Sequence, residues 1–223
     1  LSKIFDIADE YVNKIAALSP LTATHLGIPG QDDKMTDYSP TGNEASADLD
    51  RQTLSELESA EPESEQDRIA REAMMEEIRL SLDIHDAGES LRRLSVIHSP
   101  IHSIRMIFDL MPRETEEHWS NIAARLNLVS QGLESFRHTL DEGIFQGKVV
   151  SKRQAVETAG QCLVWNGSAE GQTSFFEGLL DIYDEAGIGS DAQRRQIESG
   201  AQAANRAMDE MAAYLRETYT PHA

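Results

Sequence analysis

In this 223-residue chain, His98 and His102 are four positions apart, and two histidines at this spacing could bind one metal ion. Two imidazoles on one helix face can bind zinc, and the peptidases that use this pattern place a glutamate directly after the first histidine. Pro100 lies between them and is predicted to be the first residue of a helix, because its fixed φ suits that position. His98 would then precede the helix and His102 would lie inside it. The pattern therefore favours packing or capping roles over a metal site.

Other residues with reactive or ligating side chains also lack a complete motif. None of the seven histidines is followed by glutamate, so the His-Glu element of zinc peptidases is absent from the sequence. Cys162 lies in an apolar context without a basic neighbour, which predicts a buried, inert thiol. Asp32, Asp33 and Asp37 lack the glycine and terminal glutamate of a calcium loop. We predict no catalytic residue, no metal ligand and no cofactor in this chain.

Charge and composition narrow the range of partners. Thirty-nine Asp and Glu residues against twenty Lys and Arg give a net charge of −19. This charge repels phosphate backbones and anionic membrane surfaces, so we expect neither nucleic acid nor a membrane as partner. The apolar stretches are shorter than the roughly 18 residues of a spanning helix. A single cysteine fits a reducing compartment and a cytoplasmic location, while the start at Leu1 leaves open whether a leader was removed.

The spacing of apolar residues predicts the secondary structure that positions the histidines, the cysteine and the aspartates. Apolar residues recur at helical spacing almost from end to end, and no long segment alternates with period two. The sequence therefore predicts an all-α fold, an antiparallel multi-helix bundle of about eight to ten helices. Ser-Pro pairs at residues 19–20, 39–40 and 99–100 each predict a helix start, with the serine hydroxyl as cap and the proline as first residue.

Two more helix starts are predicted by capping boxes, Ser151 with Gln154 and Ser190 with Gln193. The helix after the second box carries an apolar stripe that is mostly alanine and methionine: Ile197, Ala201, Ala204, Met208, Met211 and Leu215. Small side chains permit close approach of another helix. The stripe is therefore one candidate surface for a partner or for dimerisation.

We expect one helical domain over residues 1–223. A subdivision into N-terminal helices, residues 1–90, and a helical bundle, residues 91–223, would be hinged around residues 88–100. The glycine, serine and proline residues of that segment interrupt the helical pattern on both sides.

The segment from Ser19 to Tyr38 resembles the N-terminal signature of a bacterial family called domain of unknown function 885. A Ser-Pro, an Ala-Thr and a Leu-Gly lead there to Asp32-Asp33 and then to a second Ser-Pro. Further matches follow in the order of that family: Val96–Pro100, Phe108–Pro112, Arg125-Leu126, Leu140–Gln161 and Tyr214–Pro221. The resemblance thus spans most of the chain.

Members of that family are similar to helical zinc peptidases of the carboxypeptidase and angiotensin-converting-enzyme type, whose metal-binding residues lie in a C-terminal half. The resemblance implies that this chain is the N-terminal part of a longer protein, a wall or lid of a peptidase-like cleft that is catalytically incomplete alone. It implies these cleft-lining residues: Asp32, Asp33, Tyr38, His98 and His102. Zinc would belong to the missing half.

The implied partners are that missing half, or further copies of the chain, with a peptide as substrate. Such a fragment should expose an apolar patch larger than the roughly 300–600 Å² usual for a monomer. The alternative is a self-contained interaction or dimerisation module that uses its acidic faces or the stripe of its last helix.

Overall fold

The structure, a computed structural model, describes residues 2–223 and contains ten α-helices and no strand within them. The helices are α1 (Lys3–Leu18), α2 (Pro20–Leu26), α3 (Pro40–Ser59), α4 (Glu65–Asp86), α5 (Pro100–Leu110), α6 (Glu116–Asn127), α7 (Val129–Phe145), α8 (Lys152–Trp165), α9 (Phe175–Ala186) and α10 (Asp191–Ala213). A π-helical turn, Tyr214–Tyr219, continues α10. The prediction of an all-α fold with eight to ten packed helices is confirmed.

Helix α10 is the centre of the larger of two apolar clusters. It packs against α6, α7, α8 and α9 and buries Ala201, Ala204 and Met208 completely or nearly so. At Gly200 a Cβ atom would come within 2.7 Å of the Leu126 Cβ, so α6 lies against the bare backbone of α10. The alanine and methionine stripe is therefore covered by the chain's own helices. Its prediction as a surface for a partner is wrong.

A smaller apolar cluster joins α1, α3 and α4. Its buried members are Ile4, Ile7, Leu57, Ala60, Met75 and Ile78. Buried Asp50 on α3 ties the three helices together, because its carboxylate accepts from the Tyr11 hydroxyl at 2.8 Å and from the Ser81 hydroxyl at 2.7 Å. Leu21 and Tyr38 belong to the larger cluster, although both lie in the first ninety residues. The subdivision at residue 90 stays a prediction.

The three Ser-Pro pairs begin α2, α3 and α5 with proline as first residue, as predicted. Ser39 caps its helix, since its hydroxyl accepts from the Gly42 amide at 3.2 Å. The Ser99 hydroxyl instead lies 2.8 Å from His102 Nδ1, and the Ser19 hydroxyl lies 2.8 Å from that of Thr22. The predicted hydroxyl cap is therefore wrong at these two serines, because a neighbouring side chain takes the hydroxyl.

Both predicted capping boxes begin a helix, but neither glutamine closes the box. Gln154 Oε1 accepts from the Val96 amide at 2.9 Å, and Gln193 Nε2 donates to the Glu116 carbonyl at 2.8 Å. Ser190 alone keeps its half of the box and accepts from the Gln193 amide at 3.3 Å. Each glutamine thus links the start of its helix to a distant segment.

Within residues 2–223, none of the helices combines the length and the apolar character that crossing a membrane requires. The expectation that a membrane is not a partner stays a prediction. The cytoplasmic location stays a prediction.

Candidate functional site

The loop between α2 and α3 carries three of the predicted cleft residues and is held by one arginine from α6. Arg125 is fully buried. Its Nε donates to the Lys34 carbonyl at 3.0 Å, and its Nη2 donates to the Gln31 carbonyl at 2.8 Å and to the Thr24 hydroxyl at 3.0 Å. Because the fork of guanidinium donors is rigid, these bonds fix the path of the loop.

The charge of Arg125 is balanced by nearby carboxylates. Burial lowers the pKa of Arg125 to about 10, while the negative charges of Asp32 and Asp33 act in the opposite direction. With that pKa the guanidinium remains protonated at neutral pH. The Thr24 hydroxyl lies 2.5 Å from Asp32 Oδ1, so Asp32 is connected to the guanidinium through the threonine.

Asp32 and Asp33 line an open cavity of about 440 Å³ between this loop and α6. Helix α6 contributes Glu117, His118 and Asn121 to the lining, and Met111 with Pro112 adds an apolar edge. Carboxylates, an imidazole and a carboxamide can together bind a small ligand that carries a positive charge and hydrogen-bond donors. Over residues 2–223 no group of three or more His, Cys, Asp or Glu side chains could hold a metal ion.

Tyr38 lies at the other end of the loop and is buried. Its amide donates to Ser135 Oγ at 3.0 Å, and its carbonyl accepts from Thr139 Oγ1 at 2.6 Å, both on α7. Burial raises the pKa of the phenol, and the nearby Arg93 guanidinium, 5.9 Å from the ring centroid, partly opposes this rise. Tyr38 therefore anchors the loop and does not line the cavity that holds Asp32 and Asp33.

The two histidines differ in burial. His98 is exposed before α5, whereas His102 is 4% exposed inside it. His102 Nε2 lies 3.1 Å from the Val96 carbonyl, which can only accept, so this nitrogen carries the hydrogen. Nδ1 then accepts from the Ser99 hydroxyl at 2.8 Å. His102 fastens residues 96–99 to α5, and burial lowers its pKa.

Of the residues implied to line one cleft, the structure brings Asp32 and Asp33 together at the cavity. The other three, Tyr38, His98 and His102, are not among its lining residues. Sequence reasoning predicted the buried Cys162 correctly, and burial raises the pKa of its thiol to about 12. Such a thiol is not a nucleophile at neutral pH.

Sequence reasoning missed the part that α6 plays in the site. Arg125 was noted only as one of the residues that resemble the family. A signal was present in the charged residue placed between Ala123 and Leu126, which are buried on the apolar side of α6. Glu117, His118 and Asn121 gave no signal, since nothing local places α6 beside the loop.

The fold and the site define an acidic, all-helical protein in which a fixed loop presents carboxylates to an open cavity. A family model described as "Bacterial protein of unknown function (DUF885)" matches residues 20–223. The chain therefore belongs to this family, and the resemblance to it is confirmed. A comparison with curated proteins gave no match.

Proposed function

We propose that the chain is the helical wall or lid of a zinc-peptidase-like protein and is catalytically incomplete by itself. The observation that carries the proposal is the acidic loop that Arg125 holds beside the open cavity. Asp32 and Asp33 can accept hydrogen bonds from an ammonium group such as the free amino terminus of a peptide. The metal and the base that cleave the peptide would come from the C-terminal half of the protein.

The surface of the chain leaves two large apolar side chains open. Ile97 and Phe145 are exposed at 83% and 86% and are available to a further segment of the protein. Covering them would require another segment or another molecule. The expected apolar patch of more than roughly 300–600 Å² stays a prediction.

The proposal is tested by comparing two forms of the protein. Purified residues 1–223 with added zinc should not hydrolyse unblocked peptides. The native reading frame should continue past Ala223 with a His-Glu element and a later histidine, and the longer protein should hydrolyse the same peptides in the presence of zinc. Hydrolysis by residues 1–223 alone, or a reading frame without that element, would overturn the proposal.

A second candidate function is a self-contained module for protein interaction or dimerisation. Since the stripe of α10 is buried, the outer surface of the helices would have to serve this function. An exposed row of apolar side chains on α4 favours this candidate. Size-exclusion chromatography with light scattering gives a simple test: a dimer whose mass does not change with concentration supports a module, whereas a monomer without any partner argues against dimerisation.

A further inference from the structure

Helix α4 buries one side in the small apolar cluster and leaves the opposite side in solvent. Ile78 is 3% exposed and packs with α1 and α3. Four apolar residues on the other side are exposed: Ile69, Ala73, Leu80 and Ile84. At about 100° of rotation for each residue they lie within roughly 60° of one another around the helix axis, over a length of about 22 Å. We call this row the α4 stripe.

The α4 stripe differs from ordinary exposed apolar residues by its alignment. Ile69, Leu80 and Ile84 are exposed at 56%, 53% and 47%. Single apolar side chains on a surface are normal, but residues spaced by four, seven and four on one helix are the pattern that packs against a second helix. The spacing therefore points to a helical occupant.

The charges beside the α4 stripe specify the chemistry of that occupant. Glu76 and Asp83 lie along one edge, and Glu77 lies along the other. Within residues 2–223, none of these three carboxylates forms an ion pair, whereas Arg68 and Arg79 are both paired, with Glu65, Glu72 and Glu58. The edges of the stripe are thus negative and uncompensated.

An open groove of about 640 Å³ runs along the same helix. Leu80 is the member of the stripe that lines it, together with the buried Met75, three carboxylates and three guanidinium groups: Glu72, Glu76, Asp83, Arg68, Arg71 and Arg79. Since Arg68 and Arg79 are already paired with other carboxylates, Glu76 and Asp83 are left at the edge of the groove for a second helix that lies along it.

We propose that the α4 stripe is the docking surface for a cationic amphipathic helix of a partner protein. Apolar side chains of that helix cover Leu80 and its neighbours in the stripe, and its Lys or Arg residues pair with the three carboxylates. A second copy of α4 fits poorly. Antiparallel pairing that sets Ile69 against Ile84 also brings each edge of the stripe against the same edge of the other copy. Glu76 then meets Glu76 and Glu77 meets Glu77, so like charges face each other at the centre of the interface.

This inference rests on the interaction-module candidate and is independent of the peptidase-wall proposal. The probe for its test is an 18-residue helical peptide, labelled with fluorescein, that has leucines at heptad a and d positions and lysines beside them. The control peptide has glutamates in place of the lysines. Fluorescence anisotropy with the whole chain should show binding of the lysine peptide that is at least roughly tenfold tighter than binding of the glutamate peptide.

Three variants of the chain locate the binding. Leu80→Ser combined with Ile84→Ser should weaken binding of the lysine peptide by roughly tenfold or more. Val156→Ser is the matched control, because Val156 is exposed to a similar extent, 44%, on α8. Circular dichroism checks that both variants keep the fold. Glu76→Gln with Glu77→Gln should weaken binding and flatten its dependence on salt.

The proposal is overturned if the lysine peptide binds the double serine variant as tightly as the unchanged chain. The peptide would then be attracted only by the net negative charge of the protein. It is also overturned if light scattering shows a dimer that the double serine variant abolishes. That second result would keep the interaction module but make the α4 stripe a contact between copies. Neither result changes the hydrolysis test of the peptidase-wall proposal.

Discussion

Arg125 is the residue on which the position of the acidic loop depends. Arg125→Met removes three hydrogen bonds and leaves the carbonyls of Gln31 and Lys34 without their donor. We expect the free energy of unfolding to fall by about 2–4 kcal/mol, because buried polar groups that lose their partner are costly. Urea denaturation measures the change. The control, Arg195→Met, alters an exposed side chain of α10 and should change stability by no more than about 0.5 kcal/mol.

A substitution of Asp33 tests whether the cavity binds the amino terminus of a peptide. Its side chain is exposed, so Asp33→Asn should leave stability unchanged. In the longer protein we expect a KM several-fold higher for peptides with a free amino terminus, and an unchanged KM for acetylated ones, because only the ammonium group uses the carboxylate. Asp181→Asn, an exposed carboxylate on α9, is the control. Equal KM values for all three proteins would contradict the role given to Asp33.

We expect the buried His102 to make the free energy of unfolding depend on pH. Burial lowers its pKa below the ordinary value of 6.5, so the folded chain keeps this imidazole neutral at a pH where the unfolded chain already protonates it. Its contribution to stability is therefore present above about pH 6.5 and declines as the pH falls toward the folded pKa. Urea denaturation at pH 7.5 and pH 5.5 should show a smaller loss of stability for His102→Gln than for the unchanged chain. An equal loss in both would argue against this contribution from His102.

At the scale of the element, helix starts could be predicted from the sequence, but the partners of the capping side chains could not. Proline after serine sets the backbone within one turn, so α2, α3 and α5 begin where the sequence places them. Gln154 and Gln193 bond instead to segments 58 and 77 positions away, which no local pattern reveals. In the candidate site, Asp32 and Asp33 belong to a local sequence motif and could be predicted. Arg125 lies beside their loop only because α6 packs there, and no local pattern indicates that packing.

The contact between α6 and α10 gives a prediction with an internal control. Gly200→Ala places a methyl group 2.7 Å from the Leu126 Cβ, so the helices must separate or a side chain must shift. We expect a loss of about 1–3 kcal/mol of stability. Gly160 lies inside α8, and a methyl group added there would have no heavy atom of another segment within 4 Å, so Gly160→Ala should stabilise the chain by about 0.5–1 kcal/mol. Thermal unfolding should shift in opposite directions for the two variants, and a shift in the same direction would contradict this account.

At the scale of the whole molecule, the two apolar clusters meet through polar contacts. Lys148 Nζ donates to the Ala87 carbonyl at 2.8 Å, and Asn43 Nδ2 donates to Thr139 Oγ1 at 3.3 Å. A cavity of about 440 Å³ at this junction is lined by charged side chains, among them Glu44, Arg51 and Lys148. Because such polar contacts contribute little net stability, we expect the junction to couple the two clusters weakly.

Weak coupling at this junction predicts that the smaller cluster opens first. Its six buried apolar residues enclose far less surface than the larger cluster around α10. In hydrogen exchange under mild denaturant, α1, α3 and α4 should therefore lose protection together and before α6, α7 and α10. Ile78→Ala should lower protection in the first group only, whereas Met208→Ala should lower it in the second. Loss of protection in all helices at one denaturant concentration would show a single cooperative unit and would argue against a subdivision near residue 90.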